Sequence, residues 1–512
     1  MKNIIFTVFV LLFANSLFAN NLAISAPVYS AETLTFTVSW DNSWNISTGP
    51  ANHDAVWIFI KRQKCTGNNN WVHQLVSTTA GDHSAKVSAV TSTIVSVIPS
   101  ADGVGVFIKR IGTNVVGNVG SQTISLKLAS TNPSITTTTS DNFKVIGIEM
   151  VYVPQGEFYI GDGRTTALNG AFCDAGTSSP KKITSAIQSS GLGAASNYTL
   201  SNTTGCSMPL PATFPLGYNG YYCMKYELLQ GVFVEYLNTL NYDQQASRLR
   251  GPLPNQATPV YFYNWSSFSV YTTATGTYNT KAAIFSCNYP YIPMGGLNWQ
   301  DLAAVLDWSG LRPMTEFEYE KACRGNNGGT ANTPIAFEYP WGNTTLNGGN
   351  FDNRYWADFS STIVYNIYEG ACRNWDDNGA IRAGFAASSN SNRSQSGATY
   401  YGIMEMAGNV NEQCVGGGAG YDYSGFTTTN GDGVVSATGL ANVTGWPTDG
   451  GVGTILRGGN FRTYWNIYDL TVSDRSYYSG SNYNSYYNSY PNDQNGNNAR
   501  SREIGGRGVR TY

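Results

Sequence analysis

Between residues 33 and 40 the chain alternates: Leu34, Phe36, Val38 and Trp40 are apolar, while Thr35, Thr37 and Ser39 are polar. A period of two is the signature of a half-buried strand. Val56 to Ile60 is a continuous apolar run ending in Lys61-Arg62, and Val106-Phe107-Ile108 ends likewise in Lys109-Arg110. Ile124, Leu126 and Leu128 alternate again. Short strands separated by Gly, Asn and Ser predict an all-β sandwich over residues 20–129. Ser130 to Ser140, with five threonines and one bulky apolar residue, Ile135, reads as part of a linker spanning 130–143. The period then lengthens. Leu228, Leu229, Val232, Phe233, Tyr236, Leu237 and Leu240 have helical spacing. A second helix is predicted from Asn298 to Gly310, with Leu302, Val305 and Leu306 inward. A third opens on the capping box Thr315-Glu316-Phe317-Glu318 and ends at Gly325. Beyond it, Gly, Asn and aromatic residues without periodicity predict long ordered loops and a few short strands.

Composition narrows the setting. Of 512 residues 41% are hydrophobic and 13% aromatic, enough for real cores, but only 12% are charged. The net charge of -3, with no basic stripe, argues against a nucleic-acid partner. Met1-Lys2-Asn3, the apolar run Ile4 to Phe13 and the small residue Ala19 have the layout of a cleavable secretory signal, residues 1–19. No Cys follows that run and no later segment is apolar enough to be transmembrane, so the expected location is secreted, extracellular or at the cell surface. Eight cysteines permit disulfides without fixing their pairing; Cys173 and Cys206 flank one Gly/Ser/Thr-rich loop and could staple it. No CxxC pair occurs, and all three histidines, His53, His73 and His83, precede residue 84.

One segment resists any reading as core. Of the fourteen residues from Tyr477 to Tyr490, six are Tyr and all the others are Ser, Asn or Gly. Tyr offers a large, rigid, amphipathic contact surface, and Ser, Asn and Gly offer adaptable hydrogen bonds. This is the chemistry of an antibody combining site. A disordered polar linker is the alternative, but linkers are poor in aromatics.

Seven blocks in order carry a resemblance over some 360 residues. They are Met150 to Gly161, Tyr222 to Glu227, Leu297 to Asp301, Leu311 to Ala322, Tyr339 to Asn343, Tyr401 to Glu412 and Leu456 to Phe461, with Gly505 to Arg510 closing the chain. Together they resemble the formylglycine-generating enzyme, or sulfatase-modifying factor, family. The resemblance implies an α+β fold: an elaborated C-type-lectin-like domain over 144–512, rich in irregular structure and preceded here by the all-β sandwich.

The enzymes of that family oxidise a peptidyl Cys with copper held by two cysteines just after the Arg-Gly-Gly block. The aligned positions here are Thr463 and Tyr468, and no Cys follows Cys414. A hydroxyl and a phenol do not replace two thiolates as ligands for a soft ion. The iron-dependent branch of the family needs a histidine site that the spacing of His73 and His83 does not supply. Neither copper nor iron is therefore expected, and no catalytic residue is assigned. The resemblance does imply structural calcium, held by the side chains of Glu405 and Glu412 and the carbonyls of Gly408 and Val410, oxygen donors suited to a hard cation. Asp376 and Asp377 lie near a possible second site. Asn411 stands where relatives often have Trp.

The tail is similar to the variable region of proteins diversified by retroelements, where mutated Asn codons yield Tyr, Ser and Asp. On this reading Tyr464, Trp465, Asn466, Tyr468, Asp469, Tyr477, Tyr478, Tyr483, Tyr486, Tyr487 and Tyr490 line a surface for a protein or glycan ligand. Arg457, Gly458, Gly459, Gly506, Arg507 and Arg510 fix the backbone beneath it. A metal-dependent oxidoreductase and a structural part of a cell-surface machine remain the alternatives.

Overall fold

A computed structural model describes residues 21–64, 70–87, 94–130, 141–163, 171–174, 177, 179–186, 192–194, 211–248, 271–274, 282–327, 330–331, 333–345, 380–387, 391–416, 425–448, 453–461, 463, 467–475 and 500–511. The proposed signal segment, most of the Thr-rich linker, Cys65, Cys206, Asp376 and Asp377 lie outside those residues.

The alternating segment forms the strand Thr33–Asn45, paired with Val115–Lys127 in a five-stranded sheet. A second sheet has eight strands. Its path runs Arg312–Pro313, Gly508–Thr511, Tyr221–Met224, Asn142–Val153, Asp54–Gln63, Gly105–Arg110, Val95–Pro99, and Trp71–Gln74 also pairs with Asp54–Gln63. The strand Asn142–Val153 decides the architecture. On one edge it pairs antiparallel with Asp54–Gln63, from Asn142↔Gln63 to Val151↔Asp54. On the other it pairs with Tyr221–Met224. Hydrogen bonding thus runs unbroken past residue 144, and the boundary expected there falls inside a strand.

The apolar run Val56 to Ile60 now has a physical reason. Its strand is buried on both faces, which replaces alternation of polarity by a continuous run. Val56, Ile58 and Ile60 pack with Leu34, Phe36 and Trp40 of the facing sheet. Ala55, Trp57 and Phe59 point the other way, into a core with Trp299, Leu302, Leu306 and Trp308.

That second core is built on two capped helices. Trp299–Trp308 starts at Asn298, whose side chain accepts from Asp301 N at 2.9 Å while Asp301 Oδ2 accepts from Asn298 N at 3.2 Å. Glu316–Arg324 starts at the Thr315/Glu318 box and stops at Gly325, φ 73°. Every residue of the latter helix is buried, charged ones included. Its carboxylates are neutralised by arginines, one just ahead of the helix and two from distant segments. Arg312 grips Glu318 at 2.8 and 2.5 Å, Arg457 meets Glu320 at 2.5 Å and Arg475 meets Glu316 at 2.6 Å. The first predicted helix is shorter than its periodicity, Gln230–Leu237, and is followed by Tyr242–Arg248. No helix among the described residues is long and apolar enough to cross a membrane.

Candidate functional site

The segment from Glu405 to Glu412 is a tight loop leading into the strand Asn411–Val415. Glu405, Gly408 and Asn409 all have positive φ, at 50°, 87° and 57°. Such angles in non-glycine residues persist only where the surroundings over-determine them. Several hydrogen bonds do so here. Gly408 N donates to Gly458 O at 2.8 Å, Tyr319 Oη to Met406 O at 2.6 Å, and Phe461 N to Asn409 O at 2.8 Å. Glu227 accepts from Val410 N and from Asn409 Nδ2, each at 3.0 Å. Gly458 must be glycine: at φ 81°, a Cβ there would lie 2.5 Å from Glu412 Oε2 and 2.7 Å from Met406 O. Asn411 is buried and accepts through Oδ1 from Asn460 Nδ2 at 2.7 Å.

The loop gathers more negative charge than it neutralises. Glu227, Glu405 and Glu412 are all buried. Arg507 donates to Glu412 Oε1 at 2.7 Å and to the backbone O of Glu405 at 2.9 Å. Glu405 Oε1 accepts from Gly384 N at 2.7 Å. Glu405 Oε2 and Glu412 Oε2 are buried with no hydrogen-bond partner among the described residues. Burial pushes the carboxyls of Glu405 and Glu412 up to about 7, and it holds Glu227 well above the usual carboxylate range, helped by the charge of Glu412.

Two orphaned carboxylate oxygens beside a tight turn of backbone fit a hard, oxygen-seeking cation. Glu405, Gly408, Val410 and Glu412, the expected set, all lie on this loop and the start of its strand. Among the described residues no three His, Cys, Asp or Glu side chains converge as a metal centre, so an ion here would have to rest on two carboxylates and on carbonyls. Sequence reasoning passed over Glu227, which lay inside a quoted block but had no spacing signal to mark it.

The neighbouring face carries the positions aligned with the copper thiols. Thr463 is buried, and its Oγ1 accepts from Asn460 N at 2.9 Å, so the hydroxyl closes a local turn. Tyr468 is 44% exposed, its ring centroid 4.9 Å from that of Phe337. Asp469, expected at the surface, is instead buried, drawn in with Leu470 at the end of the short 3-10 turn Ile467–Leu470. Tyr464, Trp465, Asn466, Tyr477, Tyr478, Tyr483, Tyr486, Tyr487 and Tyr490 lie outside the described residues. The described cysteines 173, 223, 287, 323 and 414 are free thiols, so no Cys173 staple forms here. Burial raises the thiol of Cys223 to about 12 and holds those of Cys323 and Cys414 well above the usual thiol range, so none of the three is a ready thiolate.

The stems of the tail are firmly held. Arg457 binds Glu320 and donates to the carbonyls of Asp474 at 2.7 Å and Val472 at 3.0 Å. Arg475, the last described residue before the tail, is bidentate to Glu316 at 2.6 and 2.9 Å and sits 4.1 Å from the centroid of the Phe172 ring. Arg500, the first after it, is bidentate to Asp301 at 2.6 and 2.9 Å. Both carboxylates belong to the N-terminal turns of the two capped helices. Planar guanidinium–carboxylate forks fix direction as well as distance.

Residues 138–512 match the family model of the sulfatase-modifying factor enzyme 1-like domain. No curated protein matches the chain.

Proposed function

The chain belongs to the sulfatase-modifying factor enzyme 1-like family, and on that premise we propose that it is an exported, non-catalytic ligand-binding protein. Its Tyr/Asn/Ser-rich segment 477–490 is the contact surface, together with Tyr464, Trp465, Asn466 and Tyr468. One observation carries this reading: Arg475 and Arg500, the described residues that flank the segment, are each locked bidentately to a helix carboxylate, Glu316 or Asp301. Fixed stems lower the ordering cost of a binding loop. The oxidoreductase alternative needs two thiolates at Thr463 and Tyr468, and the Thr463 hydroxyl is already committed to Asn460 N.

Calcium, held by Glu405 and Glu412 with the carbonyls of Gly408 and Val410, is part of the proposal as a structural ion that would neutralise the orphaned oxygens. Diversification of the tail by a retroelement is a further part. It requires a near-repeat of the tail's coding DNA, differing at adenines, beside a reverse transcriptase gene.

The test is the triple variant Tyr483→Ser, Tyr486→Ser, Tyr487→Ser of the full chain, probed on glycan and cell-surface-protein arrays and by thermal melting. Exposed substitutions change stability by about 0.5 kcal/mol or less each, whereas aromatic anchors at an interface contribute about 2 kcal/mol or more apiece. Melting close to that of the parent with loss of the parent's array signal is the expected result. Unfolding, or an unchanged array signal, overturns the proposal.

A further inference from the structure

A cavity of about 610 Å³ opens where the eight-stranded sheet meets the C-terminal end of the helix Trp299–Trp308. It lies apart from the tail stems and from the Glu405–Glu412 loop, and its size is that of an ordinary small-ligand pocket. Its walls come from the edge strand Trp71–Gln74, from Thr239, Leu240 and Gln244, and from the segment 429–435.

Lys61 holds those walls together. On the strand buried on both faces, it points away from Ile60 and into this space. Its ammonium donates to Trp308 O at 2.7 Å, Gly433 O at 2.6 Å and His73 Nδ1 at 3.1 Å. Because Lys61 can only donate and Val104 O can only accept, His73 carries its proton on Nε2, 2.9 Å from that carbonyl. All three Lys61 donors and both His73 nitrogens are therefore spent. They are struts, with the lysine also closing the carbonyl end of the helix.

The 429–435 segment is equally fixed. Asp307 accepts from Asp432 N at 3.2 Å and from Asn442 N at 2.9 Å. Gly433, φ 88°, passes so close that a Cβ would lie 2.2 Å from His73 Nδ1.

What remains for a ligand is a short set of groups. Asp432 Oδ1 accepts from Val434 N, and its other oxygen has no hydrogen bond to the described residues. Asn430 Oδ1 accepts from Thr511 N, which leaves its amide N–H₂ as donor. Trp71 is part-exposed, with the Lys144 ammonium 5.6 Å from its ring centroid and the rest of the indole open to the cavity. Val435 and Leu240 supply aliphatic wall. Asp102 is held bidentately by Arg510. An anion would face Asp432 with the Lys61 ammonium already saturated, and a cation would face Lys61. A neutral ligand with apolar C–H faces and several hydroxyls meets neither penalty: it can lie on the indole, donate to Asp432 and accept from Asn430 and Trp71.

We infer that this junction cavity is a second binding site, independent of the tail, for one or two sugar units of a neutral glycan. The test uses the full chain with cellobiose, maltose, lactose and N,N′-diacetylchitobiose, read by saturation-transfer NMR and isothermal titration. At least one disaccharide is expected to bind. Trp71→Ala and Asp432→Asn should each weaken it about tenfold or more, a shift of roughly 1.4 kcal/mol. Trp71→Phe should retain part of the affinity, and the triple Tyr→Ser tail variant should retain all of it. Thermal melting of each variant separates loss of the site from loss of the fold, and Asp432→Asn, on an exposed oxygen, is the variant least expected to unfold. The inference is overturned by absence of binding by all of the disaccharides at tens of millimolar, by binding that survives both Trp71→Ala and Asp432→Asn, or by displacement of the sugar on losing only the tail tyrosines.

Discussion

Two buried clusters of charge lie side by side in this fold and are treated in opposite ways. Around the helix Glu316–Arg324 the carboxylates are answered: Glu316 by Arg475, Glu318 by Arg312, Glu320 by Arg324 and Arg457. In the adjoining loop, Glu227, Glu405 and Glu412 share Arg507, which bonds only the carboxylate of Glu412; Arg382 acts on Glu405 by charge, and two carboxylate oxygens have no hydrogen-bond partner among the described residues. Both clusters are built from Glu and Arg, so the difference is not one of composition. It lies in whether the chain brings its own counterion. A saturated cluster is frame, and an unsaturated one is a place for something added.

Breaking the saturated cluster should have the largest effect. Arg457→Ala strips Glu320 of one partner and leaves the carbonyls of Val472 and Asp474 without their donor. Removing one member of a buried pair costs about 3–5 kcal/mol. Urea denaturation should show a loss of that order, with the tail stem loosened. A loss under about 1 kcal/mol would place this cluster in the same class as exposed ion pairs, whose median contribution is about 0–1 kcal/mol, and remove the contrast.

Adding an ion should act on the other cluster only. If calcium binds the native loop, stability rises by about 2.7 kcal/mol at a hundredfold excess over Kd. The melting temperature should fall in chelator and recover with calcium, and Glu405→Ala with Glu412→Ala should abolish the response. A melting curve indifferent to chelator means that the bare oxygens are tolerated without an ion.

The contrast was partly legible in the sequence. Capping boxes at Asn298 and Thr315 are local signals, and both helices start where those residues stand. The Glu405–Glu412 set came from one contiguous block and is contiguous in space. Glu227 and Arg507 were not tied to it, because they reach the loop from positions about 180 and 100 residues away along the chain, and no period encodes such a meeting. The same limit hid the sheet that carries Asn142–Val153 onto Asp54–Gln63. A Thr-rich stretch looks like a hinge whether or not the strands on either side pair. Lys61 read as the polar end of a strand, but pleating turns it inward to a helix terminus that lies far off in sequence. Asp469 was grouped with exposed neighbours by proximity alone, whereas the short turn at Ile467–Leu470 exposes Tyr468 and buries both Asp469 and Leu470.

The smallest effect is a slope, and it separates the two clusters without removing any large group. The carboxyls of Glu405 and Glu412 titrate near 7 in the fold against an ordinary 4.5, burial being the main cause. Between those values the unfolded chain has released its protons while the folded loop keeps them. The folded state therefore binds more protons, and its stability falls as pH rises from about 4.5 to about 7, then levels off. Each such group contributes at most about 1.4 kcal/mol per pH unit. Other buried groups titrate in the same range, Asp307 and Glu149 among them, so the informative quantity is a difference between variants. Glu405→Gln keeps an oxygen for Gly384 N and removes the charge. In chelator, its stability profile over that interval should be shallower than that of the parent. Saturating calcium should flatten the parent toward the variant, because an ion that binds the carboxylate form favours the deprotonated loop. Superimposable profiles for parent and Glu405→Gln in chelator would mean that this carboxyl is ionised in the fold as freely as in water, and that the loop has no unanswered charge for a cation to meet.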